Sequence, residues 1–490
     1  MKTIGIASQL FVVLALALSA GCGGSARPDP PTPQTPAPLG PGNLNLIFVV
    51  SEDLAYQAPG DINSRTANLT NRGLQRSLRM ATFLKQQVLG TENVTSIYAL
   101  EPMTHLQTAN NYPDMAGIET VQQFAMLNQI ALSYPPYPSY TGNNYPINAS
   151  YASGVLPSDV APPPQQFCLT CQGLDFNDQD GDNEALVTRI LKPFVPGFYV
   201  FSAPWETTRA LLANINQLQG YNLAVPASYR GPNYIYAISI APSGSATMVA
   251  YNSNLDPPFT YPDLPAGKIV STACTAQPPF SITVTGGQGG AVVPAGINTN
   301  ETVYFIRHAE AHPRSYWSDN NYVGAGQWRA LDLPNALRGK VSPQRVVSAD
   351  PGQFGAGSNS STGDSNYSTI APAFTAEPYA IANGLPYTLA AGVQLSDSNA
   401  DQQTSDFLFT GGTFSNQKVL VAWVFQQIAP TVNKLLASYH GDGPTAPDWP
   451  DKDYDSIWVV QLDANGNLSV SKTMCEGINS EALPPTAPLF

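Results

Sequence analysis

The sequence predicts an α/β fold with largely parallel sheets, laid out in two halves. Three observations predict it. Short runs of β-branched and aromatic residues alternate with helical stretches along the chain. A Pro/Gly-rich segment, 260–300, separates two such series. The second series opens on Glu301–Glu310, in which Thr302, Val303, Tyr304, Phe305 and Ile306 read as a buried strand ending at Arg307 and His308. Ligands of parallel α/β sheets bind at the carboxyl ends of strands. A cation beside an imidazole at that place is therefore a candidate anion site.

In the first half, Leu44–Val50 is a buried-strand run followed by Ser51, Glu52 and Asp53. Leu74, Leu78, Ala81, Phe83, Leu84 and Val88 recur at helical spacing, and Gly90 stops that helix. Val94–Ala99 is the next strand. A Tyr/Pro/Asn-rich stretch to Gln166 is long for a loop and reads as an insertion or cover. Helix 184–191, strand Gly197–Ser202, helix 206–218 and strands 234–240 and 246–251 complete the half. In the second half, helix 327–337, strand 345–348, helix 372–383, strand 385–389, helix 401–409, strand Lys418–Trp423 and helix 428–439 follow the Arg-His run. Strands 454–462 and 468–472 close it through the Gly-containing loop 463–467, a hairpin signal.

The 490 residues suffice for two or three domains. Only 12% are charged and the net charge is −13, which argues against nucleic acid as a partner. An anionic ligand would need its own local cations. Residues 1–21 read as an export signal: Lys2, then the apolar run from Phe11, then Ser19, Ala20 and Gly21 before Cys22. The apolar run is too short to span a bilayer. It resembles a bacterial lipoprotein signal, which implies lipidation of Cys22, attachment to a membrane through the lipid anchor only, and a place in the cell envelope. Residues 22–43 are a Pro-rich tether.

Four further cysteines, Cys168, Cys171, Cys274 and Cys475, form an even set of the kind found as disulfides in oxidising compartments. Three pairings are open. Cys168 with Cys171 would leave Cys274 with Cys475, and a C-x-x-C redox motif is the alternative. No zinc pattern is present. The acidic stretch Asp175–Asp182 has the composition of a calcium loop but not its spacing. His308, Glu310 and His312 lack the His-Glu-x-x-His spacing, and Pro313 disfavours a helix through them, so no metal is expected. No cofactor is expected either.

Taken in order, the elements of 44–472 resemble the histidine phosphatase superfamily, the phosphoglycerate-mutase-like family. The carrying residues are Phe305–Glu310, which match its Arg-His-Ala strand end. Leu69–Gly73 resembles its Leu-Thr-x-x-Gly helix start, and Tyr98–Ala109 resembles the stretch after its second strand. The resemblance implies two three-layer α/β/α phosphoglycerate-mutase-like domains, at 44–259 and 301–490, with 260–300 as linker. It implies attack of His308 on phosphorus to form phosphohistidine, with Arg307 holding the phosphoryl oxygens of a phosphorylated small molecule. The chemistry needs these types: neutral imidazole is nucleophilic near pH 7, and Arg forks onto phosphate. By order along the chain Asp397 is the candidate acid, with Glu377 behind it, and Arg314 or Arg329 is the candidate second cation. The sequence departs from the family elsewhere. Ser51, Glu52 and Asp53 stand in place of the first half's Arg-His-Gly. Thr104 and Ala371 stand at the second-Arg positions, Ser202–Pro204 at the first half's late His motif, and Val424 and Phe425 at the second half's late Glu-His pair. The first half is expected to be inactive, and the second either a weak phosphomonoester hydrolase or a catalytically inactive binding protein.

Overall fold

The computed structural model describes residues 36–490, apart from 52–68, 101–114, 129–186, 275–277, 312–320, 352–369, 441–442 and a few single positions; within these only short pieces are placed. Among the described residues the first sheet contains β1 (Leu44–Val50), β2 (Ser96–Ala99), β3 (Ile147–Asn148), β4 (Gly197–Ala203), β5 (Tyr234–Ile240) and β6 (Ala246–Asn252). Its helices are α1 (Asn71–Phe83), α2 (Ala116–Leu127) and α3 (Trp205–Gln219). The second sheet contains β7 (Phe280–Val284), β8 (Glu301–Arg307), β9 (Arg345–Ala349), β10 (Tyr387–Ala390), β11 (Lys418–Trp423), β12 (Ser456–Leu462) and β13 (Leu468–Cys475). With it come α4 (Gly324–Ala336), α5 (Ala371–Asn383), α6 (Ala400–Phe409) and α7 (Phe425–His440).

Local chemistry explains the helix ends. Thr70 caps α1, its side chain accepting from Gly73 N at 3.1 Å, which satisfies one of the orphan donors of the first turn. The helix runs into a π-helical turn, Leu84–Val88, and stops at Gly90, whose φ of 63° suits a residue without Cβ. Helix α5 ends the same way, at Gly384 in the left-handed region.

The strand order is β3-β2-β4-β1-β5-β6 in the first sheet and β10-β9-β11-β8-β12-β13-β7 in the second. Apart from β7, the same order of third, second, fourth, first, fifth and sixth strand recurs. The expectation of largely parallel sheets needs correction, because both sheets are mixed. The strands β3, β2, β4 and β1 are parallel, and so are β10, β9, β11 and β8. In each sheet the fifth strand pairs antiparallel with the first, and the sixth antiparallel with the fifth. For the fifth and sixth strands the cause is connection length: the turn Ala241–Ser245 and the loop 463–467 are hairpins, and hairpins join only antiparallel neighbours.

Side chains of β1 alternate between two cores. Leu44, Leu46 and Phe48 pack with Leu211, Leu212 and Ile215 of α3, and Ile47 and Val49 with α1 and α2. In β8, Val303 and Phe305 pack with α6 and α7, whereas Tyr304 and Ile306 join the cluster that holds α4 and α5. That cluster also contains Leu74, Ile118 and Phe124, so one core runs between the two sheets. Pro36–Phe490 accordingly forms one compact unit.

The segment 260–300 is built into the second half. Tyr261 donates its hydroxyl to Leu331 O at 2.9 Å, Ser271 bridges Ile478, and Phe280–Val284 adds an antiparallel edge strand beside β13. Cys274 and Cys475 form a disulfide with a Cα–Cα separation of 5.5 Å. Cys22, Cys168, Cys171 and the acidic stretch 175–182 lie outside the described residues.

Under the second sheet's carboxyl end sits Arg329, fully buried. Its Nε donates to Glu310 Oε1 at 2.8 Å, its Nη1 binds Glu476, and its Nη2 donates to Ser480 Oγ at 2.8 Å and Ile478 O at 3.3 Å. One guanidinium thus serves two buried carboxyls, with Asp455 3.8 Å away. Arg329→Met leaves these acids without a counter-charge and is expected to cost about 3–5 kcal/mol in denaturant unfolding. Cys274→Ser is expected to cost about 2–4 kcal/mol in denaturant unfolding under non-reducing conditions.

Candidate active site at the carboxyl end of the second sheet

Arg307 is the last residue of β8 and His308 the first beyond it. His308 N donates to Trp423 O at 3.1 Å, which ties the imidazole-bearing residue to the end of β11. In the first sheet Ser51 N donates to Ala203 O at 3.0 Å in the same way. These two bonds fix the correspondence between the halves: Ser51 occupies the place of His308 and Val50 that of Arg307. The expected alignment, with Ser51 in the Arg place, is therefore one residue out of register. The first half has neither a cation nor an imidazole at its strand end. A second correspondence follows from the helices. Thr120 Oγ1 donates to Ala116 O at 2.6 Å and Thr375 Oγ1 to Ala371 O at 2.7 Å, each from the fifth residue of its helix to the first.

The His308 imidazole is partly exposed. Its Nδ1 lies 2.9 Å from Ala309 O. A carbonyl only accepts, so the bonded tautomer carries its proton on Nδ1 and leaves the Nε2 lone pair free. Burial and the neighbouring Arg307 charge push the His308 pKa down to about 3, against the opposing pull of the Ala309 carbonyl. The ring is neutral throughout the physiological range.

Arg307 is held from three sides. Its Cζ lies 3.8 Å from the centroid of the Phe425 ring and 3.7 Å from that of Tyr454, and Nη1 donates to the carbonyl of Asp451. Both rings also flank His308, at 6.2 and 6.4 Å between centroids. Tyr454 is fixed in turn by donating to Ala311 O at 3.2 Å. A guanidinium between two aromatic faces is held by cation–π attraction on both.

The loop beyond His308 is positioned by its neighbours. Ala309 N donates to Thr375 Oγ1 at 2.7 Å, joining it to α5. Glu310 O accepts from Val323 N at 2.8 Å, and the Glu310 side chain is taken by Arg329 and Ser480. A side chain at Gly326 would put its Cβ 2.8 Å from Glu310 O, so only glycine lets α4 approach this closely.

The remaining expected site residues are distributed as follows. Asp397 is exposed, accepts from Gln403 Nε2 at 3.1 Å and precedes α6; among the described residues no bond joins it to His308. Glu377 is fully buried on α5, so it is not a surface carboxylate. Arg329 is engaged by acids and unavailable to a phosphoryl group. Glu310 is engaged too, which removes the middle member of the conceivable metal set. Arg314 and His312 lie outside the described residues, as do Thr104, Glu52 and Asp53. Sequence reasoning missed Phe425 and Tyr454 as walls of the site. Their signal was available only as aromatic residues at the edges of two strand-like runs, Phe425 just after one and Tyr454 at the start of the other.

No family model matches this chain, and no curated protein matches it. Among solved structures it is similar to a chain assigned as the phosphohistidine phosphatase SixA from Agrobacterium tumefaciens, 15% identical over 33% of this chain and 91% of that one, with a TM-score of 0.20. A SixA assignment from Nakamurella multipartitia is 14% identical over 40% and 96%, with a TM-score of 0.20. A histidine-to-alanine variant of phosphoserine phosphatase from Entamoeba histolytica, in complex with phosphoserine, is 11% identical over 37% and 99%, with a TM-score of 0.19. TM-scores this low establish neither a shared fold nor a shared chemistry.

Proposed function

We propose that this protein is an exported lipoprotein of the histidine phosphatase type, anchored in the bacterial cell envelope through Cys22, whose second half hydrolyses phosphomonoesters slowly through His308. The observation that carries the reading is the state of His308: neutral, with its proton held toward Ala309 O and a bare Nε2 at a strand end beside a cation. That is the form in which an imidazole attacks phosphorus. Attack would transfer the phosphoryl group to Nε2 and release the alcohol, and water would then release phosphate. The substrate class is a small phosphorylated molecule, and the Arg-His-Ala run is the family resemblance behind the proposal.

The capture of Arg307 favours a second reading, phosphate binding without turnover. An Arg that already spends a donor on Asp451 O and both faces on aromatic rings offers less to a phosphoryl group. The two readings separate on one measurement. With a panel of phosphomonoesters, the enzyme reading expects turnover that His308→Ala abolishes, and acid-labile phosphohistidine trapped on the wild type. Binding of phosphate with neither turnover nor phosphohistidine selects the second reading.

Two further outcomes follow from the geometry if turnover is found. Arg307→Met is expected to lower kcat by about 100- to 1000-fold, the usual loss on removing one donor to a developing charge. Because the His308 pKa is lowered to about 3, the nucleophile is already deprotonated at pH 5. The kcat/KM profile should therefore show no falling acid limb near 6.5, where an ordinary imidazole would impose one.

A further inference from the structure

Thr375 is fully buried near the start of α5, and the proposed chemistry does not use it. Its hydroxyl makes two hydrogen bonds whose directions are fixed. The Ala309 N–H can only donate, and it reaches Thr375 Oγ1 at 2.7 Å. The Ala371 carbonyl can only accept, and it takes the hydroxyl proton at 2.7 Å. A bond back to the carbonyl four residues earlier is an ordinary habit of threonine in a helix. Here it commits the one hydroxyl proton to the helix and leaves the oxygen lone pairs for the loop beyond β8.

The backbone on either side of His308 is thereby pinned. The His308 N–H donates to Trp423 O at 3.1 Å, and the next N–H along the chain donates to Thr375. Peptide units are planar, so two anchored amides one residue apart leave little freedom in φ and ψ of the residue between them. One residue further, Ala309 O lies 2.9 Å from His308 Nδ1. That carbonyl selects the Nδ1–H form of the ring and leaves Nε2 unprotonated. Ala309 is fully buried as well, and a buried N–H stripped of its acceptor carries its desolvation cost. Loss of the hydroxyl therefore gives this peptide a reason to turn, and a turned peptide carries Ala309 O away from the ring. Released from that carbonyl, an imidazole can hold its proton on either nitrogen.

We propose that Thr375 is a positioning residue for His308: through the Ala309 peptide, its hydroxyl holds the imidazole in the tautomer whose Nε2 is unprotonated. The unprotonated Nε2 serves catalysis only under the phosphomonoesterase reading, on which this role rests. The tautomer itself can be observed whether or not the protein turns over.

The test is NMR of the imidazole nitrogens in the whole chain labelled at histidine, at pH 7, where protonated and unprotonated ring nitrogens give separate signals. His308→Gln identifies the His308 signals among those of the four histidines. The wild type is expected in the Nδ1–H form. Thr375→Val, which keeps the side-chain shape and removes the hydroxyl, should raise the ratio of Nε2–H to Nδ1–H about 2- to 10-fold, the range of one net hydrogen bond. Thr375→Ser, which keeps the hydroxyl, should restore the wild-type ratio. If Thr375→Val does not fold, Thr375→Ala takes its place in the comparison with serine. A wild type in the Nε2–H form, an unchanged ratio without the hydroxyl, or a serine variant that fails to restore it overturns the role of Thr375. Absent turnover with a ratio that moves as expected counts against the phosphomonoesterase reading and leaves tautomer control by Thr375 standing.

Discussion

The strand-end site depends on a buried guanidinium that never touches it. Arg329 binds Glu310 of the loop leaving β8 and Glu476 just beyond β13, and through Ser480 the chain further on. Such an arrangement contributes little net stability, because desolvation offsets most of the attraction. What it supplies is register. The placement of the loop after His308 in which Glu310 reaches Arg329 also brings Ala309 N to Thr375 and Ala311 O to Tyr454. The imidazole tautomer, set by Ala309 O, follows from that placement.

The repeated strand order gives the two halves a common frame, and the frame shows what each has kept. The same backbone bond holds Ser51 at the end of β1 and His308 at the end of β8. Geometry has persisted in the first half where chemistry has not. Its strand-end hydroxyl is buried, and no cation precedes it. The halves are not independent bodies, since one apolar core lies between the sheets and the Gln122–Asn321 amide pair bridges it. A face of each half is thus interior, which is where polar side chains must find partners.

Much of the chain order was legible in the sequence. The β1, β8 and β11 runs are buried on both faces and read as unbroken apolar stretches, and the α1 stripe and the hairpin at 463–467 follow local periodicity and turn chemistry. What stayed hidden was set by distance. Phe280–Val284 has a weak strand pattern and exists because β13 offers an edge. Glu377 and Arg329 look like surface charges along the chain, and only the packing of α5 on the first half and of α4 on the carboxyl end buries them. The one-residue offset at Ser51 arose because sequence order cannot see a hydrogen-bond register. Asp397 was placed by order alone, and its contacts in the structure are those of a residue before a helix.

At the site itself one residue accounts for both the loss and the replacement. Phe425 stands where the resemblance calls for the late His of a phosphate cage. An imidazole there would present a hydrogen-bond donor to a phosphoryl oxygen; a phenyl ring presents only its face. That face lies 3.8 Å from Arg307, whose other side is closed by Tyr454. Phe425 therefore offers no hydrogen-bond donor at the strand end and also holds Arg307 in place against the protein. Electrostatically the pair at the strand end remains a cation next to a neutral nucleophile. The two readings of function thus differ in one physical quantity, the number of donors that can converge on a phosphoryl group lying over Nε2.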